Sequence, residues 1–177
     1  MRTVIVYESL FGNTHKIAEA IAAGIRGQQP GAEVACVPVA AGTAELIRDA
    51  DLLIVGGPTH MRGMSSERTR RMGAEGEQKK SADVHVEPGS YRPGLRDWFE
   101  SLPKTARSAS AAAFDTRAGV RLAGGAAKSI ARRLRQHGYH ILATEGYIIT
   151  DTSGPLRAGE LDRARQWGAS LPRQLAA

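Results

Sequence analysis

A single cysteine, Cys36, is present in 177 residues. An internal disulfide is therefore excluded, and no Cys/His spacing of the metal-ligating kind is present, so no metal is expected. Aromatic residues make up 5% of the chain, too few for the stacking platforms that single-stranded nucleic acid needs. Lysine is scarce too: of 24 basic residues only Lys16, Lys79, Lys80, Lys104 and Lys128 are Lys. No apolar run is long enough to span a bilayer, and the N-terminus enters a strand at once. No membrane association or secretory leader is expected, and a reducing cytoplasm is the expected compartment. A Walker loop and a GxGxxG turn are both missing. No Ser-His-Asp or Cys-His arrangement is evident and the carboxylates form no obvious acid/base pair, so no catalytic residue is assigned.

What is there fits one compact domain over residues 1–177, with 42% hydrophobic and 24% charged residues. The net charge of +6 and pI near 9.9 raise the question of nucleic acid. The Arg bias, in a chain rich in Ala and Gly, reads instead as a solvated basic surface. Nucleic acid is not an expected partner.

The chain is organised around Glu8-Ser9-Leu10-Phe11-Gly12-Asn13-Thr14-His15-Lys16. Upstream, Val4 to Tyr7 is the continuous apolar run of a buried parallel strand. Downstream, Ile17, Ile21 and Ile25 share one helix face. Gly12 permits a tight turn, and Asn13 or Thr14 is expected to cap the helix. Such a junction aims unpaired amides at whatever lies above the strand, and phosphate suits it best. An ordinary, well-capped strand-to-helix turn would select the same residue types.

Further on, Ala32–Val39 reads as a second strand holding Cys36 as a buried structural thiol. Thr43 is placed as the cap of a short helix. Asp51–Val55 reads as a central strand running into a loop, Gly56–Gly63, at the same sheet edge. Residues 64–91 carry no apolar periodicity and are expected to be a mobile insertion, dispensable for folding, which is either a solvated flap or a segment that closes over a ligand or docks a partner. A helix follows with Leu95, Trp98, Phe99 and Leu102 inward. A fourth strand, Ser108–Phe114, leads into a loop, Phe114–Arg117. The next helix buries Ala127, Ile130, Ala131 and Leu134. A fifth strand hinges at Glu145–Gly146, and a last helix buries Leu161, Ala164, Gly168 and Leu171. This alternation predicts an α/β doubly wound parallel sheet.

Ser9, Gly12 and Thr14 match the flavodoxin phosphate loop, T/S-x-T-G-x-T, with Phe11 in place of its middle hydroxyl. With three loops at one edge in the flavodoxin order, the chain resembles a short-chain flavodoxin from Met1 to its final helix. The resemblance implies a five-stranded parallel sheet of order 2-1-3-4-5 in a three-layer α/β/α sandwich, and FMN as cofactor. It implies that Ser9, Leu10, Phe11, Gly12, Asn13 and Thr14 hold the phosphate. Pro58, Thr59, His60, Met61, Arg62 and Gly63, with Phe114, Asp115, Thr116 and Arg117, would flank the flavin ring. The usual Trp and Tyr pair is absent from these loops. The implied function is electron transfer with a redox partner protein. Arg62 and Arg117 beside the ring would make its second reduction step less negative and favour a partner with an acidic docking surface. The alternatives are an FMN-dependent NAD(P)H:quinone-type reductase and, less favoured, a flavin-free binding or signalling module. Glu8-Ser9 and Gly56-Gly57 replace the Asp cluster that receiver-domain signalling requires.

Overall fold

A computed structural model describes residues 1–60, 63–91, 93–105, 109–119 and 125–176. Five strands form one parallel sheet: β1 (Arg2–Tyr7), β2 (Glu33–Pro38), β3 (Leu52–His60), β5 (Ser110–Ala118) and β6 (His140–Ile149), in the order β2-β1-β3-β5-β6. A two-residue strand, β4 (Gly63–Met64), pairs antiparallel with the end of β3. Without it the order is the expected one, the fourth and fifth expected strands being β5 and β6.

Strand alternation divides the core. Val4, Val6, Leu53 and Val55 point to one face, where α2 (Ala44–Arg48), α4 (Leu95–Ser101) and α5 (Ala126–Gln136) add Ile47, Trp98, Phe99, Ile130 and Leu134. Ile5, Tyr7, Leu52 and Ile54 point to the other, against Ile17, Ile21 and Ile25 of α1 (Asn13–Gln28) and Leu171 of α6 (Glu160–Leu175). The two outer helices touch backbone to backbone: a Cβ on Gly24 would lie 2.0 Å from the Arg165 carbonyl oxygen, and one on Gly168 would lie 2.3 Å from that of Ile21. This gives the flavodoxin-like three-layer sandwich. Among the described residues no helix is long and apolar enough to cross a membrane.

Several sequence expectations need correction. The stretches read as loops at 56–60 and 114–117 are the last residues of β3 and β5, because both strands continue past the sheet's apolar centre. Ser108 lies outside the described residues. The irregularity in β6 falls at Leu142, where the register slips between Ala111 and Ala112, and not at Gly146, which pairs regularly with Asp115. Leu161 is 37% exposed, whereas Glu160 beside it is buried, held by Arg157 and Arg163. Cys36 is half-buried on the edge strand, where burial and then Glu19 push its thiol pKa far up. Thr43 caps α2 as expected, accepting from the Leu46 amide.

The largest departure is in residues 64–91. A 14-residue helix, α3 (Glu67–Lys80), runs through them, started by a reciprocal cap between Ser66 and Thr69. Its inward residues are Arg70, Ala74 and Glu77. The helical period is present, but polar side chains carry most of it.

Candidate functional site

A cleft of about 330 Å³ opens at the carboxyl edge of the sheet. Its floor is the turn after β1 together with Pro58, Thr59 and His60 of β3 and Thr116 and Ala118 of β5. Ile149 and Thr152 close one side, and Thr69, Met72 and Gly73 of α3 form a roof. Neither a carboxylate nor a Lys or Arg lines it among the described residues; hydroxyls supply most of its polarity.

The turn is built from Gly12, whose φ of +84° suits glycine and disfavours other residues. Gly12 itself is the N-cap of α1, so neither Asn13 nor Thr14 caps the helix. The Gly12 amide donates to Ser9 Oγ at 3.1 Å. The next amides, of Asn13, Thr14 and His15, have no acceptor among the described residues and stand at the positive end of a 16-residue helix. Asn13 Nδ2 donates to the Ser153 carbonyl at 2.9 Å, and Thr14 Oγ1 bonds Thr116 Oγ1 at 2.8 Å. These two contacts tie the turn to the end of β5 and to the loop after β6.

Ser9, Leu10, Phe11, Asn13, Thr14, Pro58, Thr59, His60 and Thr116 therefore meet around one space, with Gly12 in the turn beside it. Met61 and Arg62 lie outside the described residues. Four other expected residues are placed differently. Phe114 is fully buried, edge-on to Tyr147 and Trp167 in the core. Asp115 is buried beneath α5, its Oδ2 accepting from the Ala127 amide at 2.9 Å. Arg117 bends toward Asp115, Nη1 to Oδ1 at 3.7 Å, and does not line the cleft. Gly63 pairs with His60 and faces Ser129. Burial raises the Asp115 carboxyl pKa, against the lowering effects of the Ala127 amide and Arg117. Burial also pushes the His60 imidazole below its ordinary value, against the raising effects of Glu8 and the Thr69 backbone.

Closure over a ligand by residues 64–91 is among the expectations, but sequence reasoning missed the helix that forms the roof, and with it Thr69, Met72 and Gly73. The available signal was Ser66 three residues ahead of Thr69. Two anchors hold α3 across the cleft. At one end Arg70 donates to the Tyr91 carbonyl from Nε (3.1 Å) and Nη2 (2.8 Å), and to Ser65 Oγ (2.8 Å) from Nη1. Glu8, below it, accepts from Ser65 Oγ and from the Leu95 amide. At the other end Ser153 Oγ donates to Glu77 Oε2 at 2.9 Å, across the cleft. The segment beyond α3 returns over the phosphate-type turn: the Glu87 amide donates to the Leu10 carbonyl at 2.9 Å, and the Glu87 carboxylate meets His15 Nδ1 at 2.9 Å.

Free amides, neutral hydroxyls and a helix N-terminus fit a phosphate ester, and the walls of Leu10, Phe11, Pro58 and Met72 fit a flat apolar group. The family model described as Flavodoxin matches residues 5–154. No curated protein sequence matches the chain. Among solved structures, a flavodoxin from the domain Archaea is similar with a TM-score of 0.62 and 19% identity, covering 100% of both chains. Flavodoxin 1 from Bacillus cereus has a TM-score of 0.64 at 18% identity over 98% of each. A flavodoxin, WrbA-like protein from Agrobacterium tumefaciens has a TM-score of 0.58 at 19% identity, over 99% of this chain and 97% of that one. At these identities the structures speak for the fold, and the family match speaks for the family.

Proposed function

The chain belongs to the flavodoxin family, and we propose that it is an electron carrier holding FMN in the roofed cleft, serving a redox partner protein with an acidic docking surface. Flavodoxins bind FMN and pass electrons to partners, so the cofactor and the general role follow from membership. FMN supplies the reversible uptake and release of electrons. The protein's residues bind and orient.

The observation that carries the assignment to this cleft is the row of unpaired amides after Gly12. They would take the phosphate with the Ser9 and Thr14 hydroxyls, and no cation is needed because the helix N-terminus favours an anion. Pro58 and His60 would stand against the ring. The His60 imidazole, kept neutral by burial, offers the cleft polarity without charge. The roof would exclude water, strengthening every electrostatic interaction beneath it. In this reading the protein tunes the flavin and no side chain reacts.

Titration of the purified protein with FMN and with riboflavin tests the reading. A flavin spectrum that forms with FMN and much more weakly with riboflavin is expected. Equal affinity would remove the phosphate from the argument.

One observation favours a second reading, an FMN-dependent NAD(P)H:quinone-type reductase. Met72 is 57% exposed on the roof at the cleft mouth, where a flat apolar acceptor would meet it. Bleaching of the bound flavin by NADPH with no reductase present would favour that enzyme over the carrier.

A further inference from the structure

The positive charge of the molecule is not evenly free. Arg71 is paired with Glu67, Lys80 with Glu77, Arg163 with Glu145 and Glu160, and Arg165 with Asp162. Helix α5 differs. Its eleven residues contain Lys128, Arg132, Arg133 and Arg135 and no acidic residue. No carboxylate among the described residues pairs with any of them. Lys128, Arg132 and Arg135 are exposed, at the i, i+4 and i+7 spacing that puts them in one line along the outer face.

Folding accounts for only part of this line, since Arg135 in the last turn complements the helix dipole. Like charges four apart repel on a helix surface, and a cation in the first turn, as Lys128 is, opposes the helix dipole. The inward face of α5, Ala127, Ile130, Ala131 and Leu134, already anchors the helix without help from its charges. The stripe also has a specific origin. The Ala126 amide donates to Thr59 Oγ1 at 2.8 Å, and Thr59 lines the cleft. A row of unpaired cations thus starts two residues from the cleft wall and runs away from it.

We propose that the Lys128–Arg132–Arg135 stripe is the docking surface for a redox protein with an acidic face, which it steers onto the cleft mouth. The proposal rests on the electron-carrier reading for the partner's class and on α5 alone for the place. Charge complementarity of this kind raises association rates and fades with salt. The roof helix is the weaker candidate, because Glu67 and Glu77 already pair with two of its cations.

The test uses an acidic plant-type [2Fe–2S] ferredoxin as probe and calorimetric affinity as readout, with the full chain both flavin-free and FMN-loaded. Binding at low ionic strength that weakens at least tenfold between about 0.05 and 0.3 M salt is expected. Lys128→Gln/Arg132→Gln/Arg135→Gln should lose about tenfold or more in affinity. Arg68→Gln/Lys79→Gln/Arg173→Gln, which removes the same net charge elsewhere, should lose little. Equal loss in both triple variants, or no ferredoxin binding at low salt, would overturn the proposal. So would random duplex DNA displacing the ferredoxin from the stripe at lower concentration, which would make the surface a phosphate-backbone site. A protein that stays colourless in excess FMN would sink the carrier reading instead, and the flavin-free binding data separate the two failures.

Discussion

Arg70 and Glu8, 1% and 2% exposed, face each other at 3.4 Å beneath the roof of the cleft. One comes from a helix inside residues 64–91 and the other from the turn after β1. Their meeting joins that segment to the first strand of the sheet. Glu8 satisfies the Leu95 amide as well, so the start of α4 depends on the same carboxylate.

Removing one partner from such a pair leaves an uncompensated buried charge, at about 3–5 kcal/mol. Arg70→Ala is expected to lose stability in that range in urea denaturation. The double variant Arg70→Met/Glu8→Gln should recover a substantial part of the loss, because it removes both charges together. A short linker in place of 64–91 would strand Glu8 in the same way, so the segment is not expected to be dispensable. Cooperative unfolding of the linker variant at full stability would refute this.

Gly12→Val tests the phosphate turn. Valine at φ +84° is strained, and relieving that strain would shift the turn that aims the first amides, although a Cβ there would meet only Glu87 Oε1, at 4.0 Å. FMN affinity should fall by at least tenfold, with the far-ultraviolet circular dichroism retained. Riboflavin affinity should change less, since riboflavin makes no demand on the turn. Unchanged FMN affinity in a folded variant would defeat the assignment.

The turn was legible in the sequence because its chemistry is local: a glycine, hydroxyls and a helix start within six residues. The sheet was legible for a similar reason, since Val4–Tyr7 and Leu52–Val55 are apolar enough to identify without context. The roof was not. α3 faces inward with Arg70, Ala74 and Glu77, and two of these read as solvent-facing until Glu8 and Ser153 are placed beside them. Arg117 misled for the same reason in reverse. At the mouth of a cleft a cation reads as a ligand contact, but Asp115, two residues back on the same side of β5, claims it.

The roof's far anchor should govern how fast the cofactor leaves. Ser153→Ala removes the bond to Glu77 across the cleft and nothing from its lining. A hydrogen bond to a charged acceptor contributes about 1.5–3 kcal/mol, and the remaining Lys80 contact lowers the loss toward the smaller value. Stopped-flow measurement should show FMN dissociation faster by roughly tenfold, with a smaller change in the association rate. Identical dissociation rates would show that α3 does not gate the cleft.

His60 gives the protein an acid-side weakness. Its folded pKa lies below the ordinary 6.5, so below that pH the unfolded chain binds a proton that the folded chain refuses. Stability contributed by the neutral ring is complete above 6.5 and is lost as the pH falls toward the folded value. Melting temperature should therefore drop on acidification from pH 7 to 5, and His60→Gln should flatten that part of the curve. An unchanged slope in the variant would place the acid sensitivity elsewhere.

Arg117 bears on the reduction potential. A free cation about 4 Å from the reduced ring would favour its anion by roughly 1–4 kcal/mol and raise the second potential. Paired with the buried Asp115 at 3.7 Å, Arg117 presents the cleft with a short dipole, whose field falls off faster than that of a charge. Arg117→Gln is therefore expected to leave the second potential nearly unchanged at low and high salt. Its effect should appear in stability. Burial already raises the Asp115 pKa, and Arg117 is one of the groups that lower it. Without Arg117 the folded pKa rises further, so the folded state holds a proton that the unfolded state releases as the pH climbs from about 4. The variant should lose stability more steeply than wild type as pH rises through that folded value, and Asp115→Asn/Arg117→Gln should abolish the difference. If Arg117→Gln instead lowers the second potential at both salt concentrations while the pH–stability curve stays that of wild type, the guanidinium acts on the flavin and the pairing with Asp115 is secondary.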